Sequence, residues 1–245
     1  MSVRSLSLIF MKSVLSRLTI RLVGASIAIG VGSVQAADSG HPVVVELFQS
    51  QGCSSCPPAN ANVNALSARA DVLALSFAIT YWDSLGWKDT FAKGQFTDRQ
   101  WQYAYAMHQN NVYTPQVVVN GRVEGVGAGR GEIETLIRRA DRAGGPEIAI
   151  KGGSAEIGAA PAPGLGADVW LVRYDPHTIE VPVLRGENAG KTLPHKNIVR
   201  ELTRLGGWSG EAERFDLPAT ADPALSTAVL VQTSGGGPIL AAAKE

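Results

Sequence analysis

The chain has 245 residues, enough for one large domain or two small ones. With 45% hydrophobic and 18% charged residues it can bury a core. Its 22 basic residues balance 22 acidic ones and no Lys/Arg cluster is present, which excludes a nucleic-acid partner recognised by charge.

Residues 1–36 read as a secretory leader. Arg4, Lys12, Arg17 and Arg21 precede an apolar run over Leu22–Gly32, and small residues follow around Val34 and Ala36. Cleavage is expected after Ala36, and Met11 is an alternative start. The apolar run has eleven residues, too few to span a bilayer. No Arg-Arg pair precedes it, which points to the general secretory route. The mature chain is therefore expected in the periplasm or outside the cell, with no stable membrane insertion after cleavage.

His41 to Phe48 is a β-branched apolar run, as expected for a buried strand. Gln49 to Ser55 is a loop. Cys56-Pro57-Pro58 opens a helix that extends to about Ala68, since proline fits the first helical turn. Val72 to Tyr81 is a second strand, and Trp82 to Phe96 a long aromatic loop. A helix is expected from Thr97 to about Gln109, then a turn at Thr114-Pro115. Two strands follow around Asn120-Gly121, a strong hairpin signal, and then a helix from Gly129 to Arg142. This order implies a mixed four-stranded sheet with helices on both faces over residues 37–146. From 147 to 245 short apolar runs alternate with Gly, Pro and Asn, which reads as a small β-sandwich domain.

Both cysteines lie in Cys53-Ser54-Ser55-Cys56. A disulfide stabilises by closing a loop, and a two-residue gap closes almost none, so the spacing favours chemistry. Cys53 would sit just before a helix N-terminus, where the partial positive charge favours its thiolate. Cys56, in the first turn, would be more covered and would resolve a mixed disulfide. Three alternatives remain. Zinc needs three or four ligands, and the four histidines show no paired spacing. The pair could be a fixed structural disulfide, or could hold a soft metal such as copper(I). No metal or cofactor is expected for the exchange reading. Thr114-Pro115, between a helix and a strand, is a candidate cis bond whose neighbours would offer backbone to an extended peptide beside the thiols.

These placements resemble the thioredoxin fold, with its redox motif after the first strand and its cis-proline before the third. The chain also resembles a family of bacterial exported thioredoxin-like proteins of unknown function. The resemblance is carried by 45–58 (VELFQSQGCSSCPP), 81–89 (YWDSLGWKD), 113–116 (YTPQ) and 185–191 (RGENAGK). It implies a thioredoxin-like first domain and a β-rich second one, and supplies no activity. Where ordinary thioredoxins carry a buried Asp on strand one, this chain has Glu46. Beneath the thiols it would shuttle the Cys56 proton, or it would pair with a basic residue such as Lys88. Trp82, Asp83, Thr114 and Pro115 are the candidate substrate-binding residues. The aromatics from Trp82 to Tyr105 read as either a rim for protein substrates or the seam between domains, and the seam is favoured. His108 reads as an exposed helix residue.

The expected function is thiol–disulfide exchange with exported proteins, Cys53 attacking and Cys56 resolving. The pair would be recharged by a membrane redox partner. The rival is a non-catalytic binding module for a protein or soft metal. The two differ in whether Cys53 is open to solvent or capped by the β-rich part.

Overall fold

Val43–Gln49 (β1) and Val72–Ala78 (β2) are buried along their whole lengths, as continuous apolar runs covered on both faces must be. The computed structural model in which they lie describes residues 40–140 and 144–245, so the expected leader falls outside the described residues. The two strands run parallel, Val43 opposite Val72 through Gln49 opposite Ala78. Cys56–Leu66 (α1) connects them. Gly94–Ala106 (α2) follows. Then Gln116–Val119 (β3) pairs antiparallel with β1, and Val123–Gly125 (β4) with β3. Their turn holds Asn120 at φ 49° and Gly121 at φ 61°, the left-handed conformation that selects Asn-Gly. Arg130–Arg139 (α3) closes this half.

Strand alternation assigns the faces. Val43, Val45 and Leu47 pack with Ala59 and Val63 of α1 and Ile133 and Leu136 of α3. Val44 and Phe48 point the other way, into a core with Phe96 and Tyr103 of α2. The second helix starts at Gly94 rather than at the expected Thr97, because Thr97 does not cap it. The Thr97 hydroxyl instead accepts from the Thr80 amide at 3.0 Å.

The remaining strands are Ile148–Lys151 (β5), Ser154–Ile157 (β6), Ala167–Asp175 (β7), Ile179–Pro182 (β8), Thr192–His195 (β9), Ile198–Trp208 (β10), Glu213–Asp216 (β11), Ser226–Thr233 (β12) and Ile239–Lys244 (β13). Here the expectation of a separate sandwich over 147–245 is corrected. Strands β7, β10, β12 and β13 continue the first sheet, whose order is β13-β12-β7-β10-β2-β1-β3-β4. Ile198 of β10 meets Ser76 of β2 in a parallel rung. A three-stranded sheet, β11-β6-β5, packs on the added strands through Ala155, Ile157 and Phe215 against Val169, Val229 and Val231. Strands β8 and β9 form a separate two-stranded ribbon. Phe96 and Tyr103 lie in the core shared by both parts, consistent with the seam reading, while Tyr105 and His108 are exposed. Among the described residues no helix is long and apolar enough to cross a membrane. The result is a mixed α/β architecture built on one large mixed sheet.

Candidate functional site

The loop after β1 delivers the cysteines to the start of α1. It is folded by its own backbone: Cys53 N donates to Ser50 O at 3.1 Å and Cys56 N to Cys53 O at 3.2 Å. Cys53 and Cys56 are joined as a disulfide with a Cα–Cα distance of 5.4 Å. Pro57 and Pro58 occupy the first turn of α1 and carry no N–H. The helix end therefore offers few amide donors to a thiolate, although the aligned peptide dipoles remain.

Thr114-Pro115 is a cis peptide bond. Thr114 brings both of its oxygens to the sulfurs, its carbonyl 3.9 Å from Cys53 Sγ and its hydroxyl 3.4 Å from Cys56 Sγ. That hydroxyl donates to Phe48 O at 3.1 Å, which ties the turn to β1. Ser55 Oγ lies 3.3 Å from Cys53 Sγ, where it can donate to the sulfur. A reduced Cys53 would thus have a carbonyl acceptor for its S–H and a hydroxyl donor for its thiolate.

The aromatic segment cradles this loop. Asp89, 2% exposed, accepts from Gln51 N at 2.7 Å and Phe91 N at 2.8 Å. Trp87 Nε1 donates to Gln51 Oε1 at 3.0 Å. A Cβ on Gly52 would stand 3.3 Å from Trp82 Cδ1, so Trp82 packs directly on the motif loop. Asp83 acts one step back, its Oδ1 accepting from Asp89 N at 3.0 Å. Burial pushes the Asp89 carboxyl up to about 6, against the amides that hold its anion. The folded protein thus holds the Asp89 proton more tightly than the unfolded chain. The contribution of Asp89 to stability is therefore greatest below the ordinary carboxylate range and is lost as pH rises through about 6, by up to ~3 kcal/mol. Asp89→Asn lacks this loss. Urea midpoints of both proteins at pH 4.5 and 7 test it: a wild type that does not weaken relative to the variant refutes the claim.

Glu46 is not beneath the thiols. It alternates with Val44 and Phe48 onto the α2 face, whereas α1 covers the opposite face. Its carboxylate accepts from Arg99 Nε at 2.8 Å and from the Tyr103 hydroxyl. Both Glu46 and Arg99 are about 1% exposed at the side chain. The proton shuttle expected of Glu46 gives way to a buried ion pair, and its partner is Arg99 rather than the exposed Lys88.

The tip of the β8–β9 ribbon, residues 183–191, covers the disulfide. Asn188 is fully buried and its Nδ2 donates to Gln51 O at 2.9 Å and Cys53 O at 2.8 Å. Lys191 Nζ holds Asn188 Oδ1 at 3.0 Å. Glu187 accepts from Ser54 N at 2.9 Å, an amide that holds its carboxyl below the ordinary range. Gly86 and Gly186 touch here, a Cβ on the first standing 3.5 Å from Cα of the second. In consequence Cys53 is 0% exposed while Ser54 and Ser55 reach solvent. The candidate residues Cys53, Cys56, Thr114, Pro115 and Trp82 are thus brought together, with Asp83 supporting them. Gln51, Asp89, Glu187 and Asn188 were missed. The stretch 185–191 had already stood out in the sequence without a role. Among the described residues no group of three or more His, Cys, Asp and Glu side chains could hold a metal ion.

The chain is 31% identical to protein AGR_C_4864 from Agrobacterium tumefaciens, whose crystal structure matches with a TM-score of 0.69 over 86% of this chain and 95% of that one. HBP35 of Porphyromonas gingivalis, 13% identical, matches in fold with a TM-score of 0.56 over 84% of this chain and 75% of that one. No curated protein matches the chain. Residues 44–232 match DUF1223, a family of proteins of unknown function. The chain therefore belongs to the DUF1223 family.

Proposed function

We propose that this protein is a thiol–disulfide oxidoreductase that acts on the thiols or disulfides of exported proteins, with a thioredoxin-like half carrying the chemistry. The observation that supports it most is the Cys53–Cys56 disulfide at the start of α1, with the carbonyl and hydroxyl of Thr114, beside a cis-proline, on its two sulfurs. The order β1-α1-β2-α2-β3-β4-α3, with strands arranged β2-β1-β3-β4, supports a thioredoxin-like reading of this half. In the reduced protein the Cys53 thiolate attacks a partner disulfide, and Cys56 then displaces the partner from the mixed disulfide. The burial of Cys53 requires the ribbon tip to move aside first. A membrane redox partner would reset the pair, and the leader read over residues 1–36 supports a periplasmic or secreted location.

The second reading is a non-catalytic binding module with a static or regulatory cysteine pair. The zero exposure of Cys53 is the observation that favours it. The reduction potential of the mature protein separates the two readings. Equilibrated in glutathione buffers and scored by mass shift after alkylation, an exchange protein is expected to show a midpoint between about −270 and −120 mV. A midpoint below about −300 mV would mark a structural disulfide and overturn the proposal.

A further inference from the structure

Behind the disulfide, where the base of the ribbon meets α1, lies a buried polar cluster that the fold does not require. Gln49 alternates with Leu47 and Val45 onto the α1 face. Asn60 lies one turn after Cys56 on α1, and residues so spaced share a helix face with Cβ atoms about 5–6 Å apart. Asn60 Nδ2 sits 3.4 Å from Gln49 Oε1 and 3.5 Å from Nδ1 of His195, the last residue of β9. Gln49, Asn60 and His195 are at most 4% exposed. Even so, Gln49 Nε2, Asn60 Oδ1 and His195 Nε2 have no hydrogen-bond partner. The Ser76 hydroxyl is also buried and unpartnered, on the strand that pairs with β1. Buried polar atoms left unsatisfied are costly, and such a cluster beside a reactive pair calls for a role.

Among the described residues no charged side chain perturbs the His195 ring. Asn60 approaches from α1, the Phe91 ring lies edge-on at 6.0 Å, and Ile179 opposes it on β8. Lys196 follows it in the chain, and Arg200 stacks on Phe91. Desolvation alone pushes the imidazole down to about 4, so near neutrality it is uncharged, and it holds a proton only when an anion such as the Cys56 thiolate forms beside it.

We propose that His195 is the positioning residue that accepts the Cys56 proton during exchange, past the side chains of Gln49 and Asn60 that lie between α1 and β9. This deepens the exchange reading and rests on it. Starting from a mixed disulfide between Cys53 and a partner sulfur, neutral His195 takes the Cys56 proton. The Cys56 thiolate attacks Cys53 Sγ, the Cys53–Cys56 bond forms, and the bond to the partner breaks. The partner sulfur leaves with the electron pair as a thiolate and is protonated from His195 or solvent. The dithiol is oxidised and the partner protein disulfide is reduced. The role expected of Glu46 thereby passes to a side chain delivered by the ribbon.

The test uses reduced mature protein converted to a mixed disulfide between Cys53 and thionitrobenzoate, with release of the coloured thiol followed from pH 5 to 10. For His195→Gln, release at pH 7 is expected to be about 100-fold slower, converging on wild type at high pH where Cys56 ionises without help. Asn60→Ser, which leaves the imidazole in place but unaligned, should show the same change of profile to a smaller degree. The wild-type His195 resonance should also titrate at higher pH in the reduced protein than in the disulfide form. Wild-type release with an unchanged profile in both variants overturns the relay and leaves the exchange reading standing. Failure of the wild type to form or resolve the mixed disulfide overturns both.

Discussion

Replacing Asn188 with alanine is expected to accelerate reduction of the Cys53–Cys56 disulfide by dithiothreitol about 30- to 160-fold. The Asn188 amide is what fastens the ribbon tip: it is fully buried and donates to the carbonyls of Gln51 and Cys53. Each such bond contributes about 1 kcal/mol net, and a carbonyl left closed over without its donor costs about as much again. The closed state therefore loses about 2–3 kcal/mol against an open state in which water serves the same carbonyls. When opening and closing are fast, reduction follows the open population, and that free energy converts directly into rate. The experiment quenches the reaction by alkylation at fixed pH and counts modified thiols by mass. Leu184→Ser, at a position 73% exposed on the same tip, is the control and should leave the rate unchanged. An Asn188→Ala protein that is reduced no faster than wild type would show that the ribbon does not limit access.

The second large effect is on stability. Arg99 is fully buried in α2 and holds Glu46 of β1 at 2.8 Å, Gln232 of β12 at 3.1 Å and the Tyr103 hydroxyl at 2.9 Å. Its guanidinium also stacks over Phe77, Tyr103 and Trp170. Arg99→Met preserves much of the volume but leaves the Glu46 carboxylate buried without its cation, a loss of about 3–5 kcal/mol. For a chain of this size that corresponds to a fall in Tm of roughly 6–20 °C. The double variant Glu46→Gln, Arg99→Met should recover most of the loss, because no charge is then stranded. Calorimetry of the wild type and the three variants reads this out. Equal losses in the single Arg99→Met and double variants would assign the effect to packing. The same proteins test the reassignment of Glu46. Because it faces α2, Glu46→Gln should leave the pH profile of thionitrobenzoate release unchanged. A flattened profile would return the proton relay to Glu46.

What the sequence made legible was local. The β-branched run of β1, the proline pair at the start of α1, Asn120-Gly121 and Thr114-Pro115 each carry their conformational reason within a few residues. The parts that were not legible depend on distant partners. Glu46 could be read as buried, but not which face of β1 the first helix covers, and Arg99 lies 53 residues away. The latch on Cys53 comes from Asn188, 135 residues later. The added strands alternate in the way a separate sandwich would, and nothing in a period of two residues says which sheet a strand joins. His195 carried no pattern at all. Its meaning comes from a ribbon that returns to α1 and from unpartnered atoms on four elements.

The extension of the sheet beyond β2 also bears on self-association. Without it, β2 would be a seven-residue strand, apolar at every position but Ser76, at a sheet edge, the kind of edge on which chains stack into aggregates. Only one rung, Ile198 with Ser76, joins β10 to it. The exposed side of β2 is nonetheless filled group by group at alternate residues. Lys244 Nζ takes Val72 O, Asn197 takes both Ala74 O and Ser76 N, and the Lys93 amide takes Ala78 O. The edges that remain are a three-residue strand on one side and a strand ending in a lysine on the other. A sheet finished this way gives a neighbouring chain little backbone to pair with.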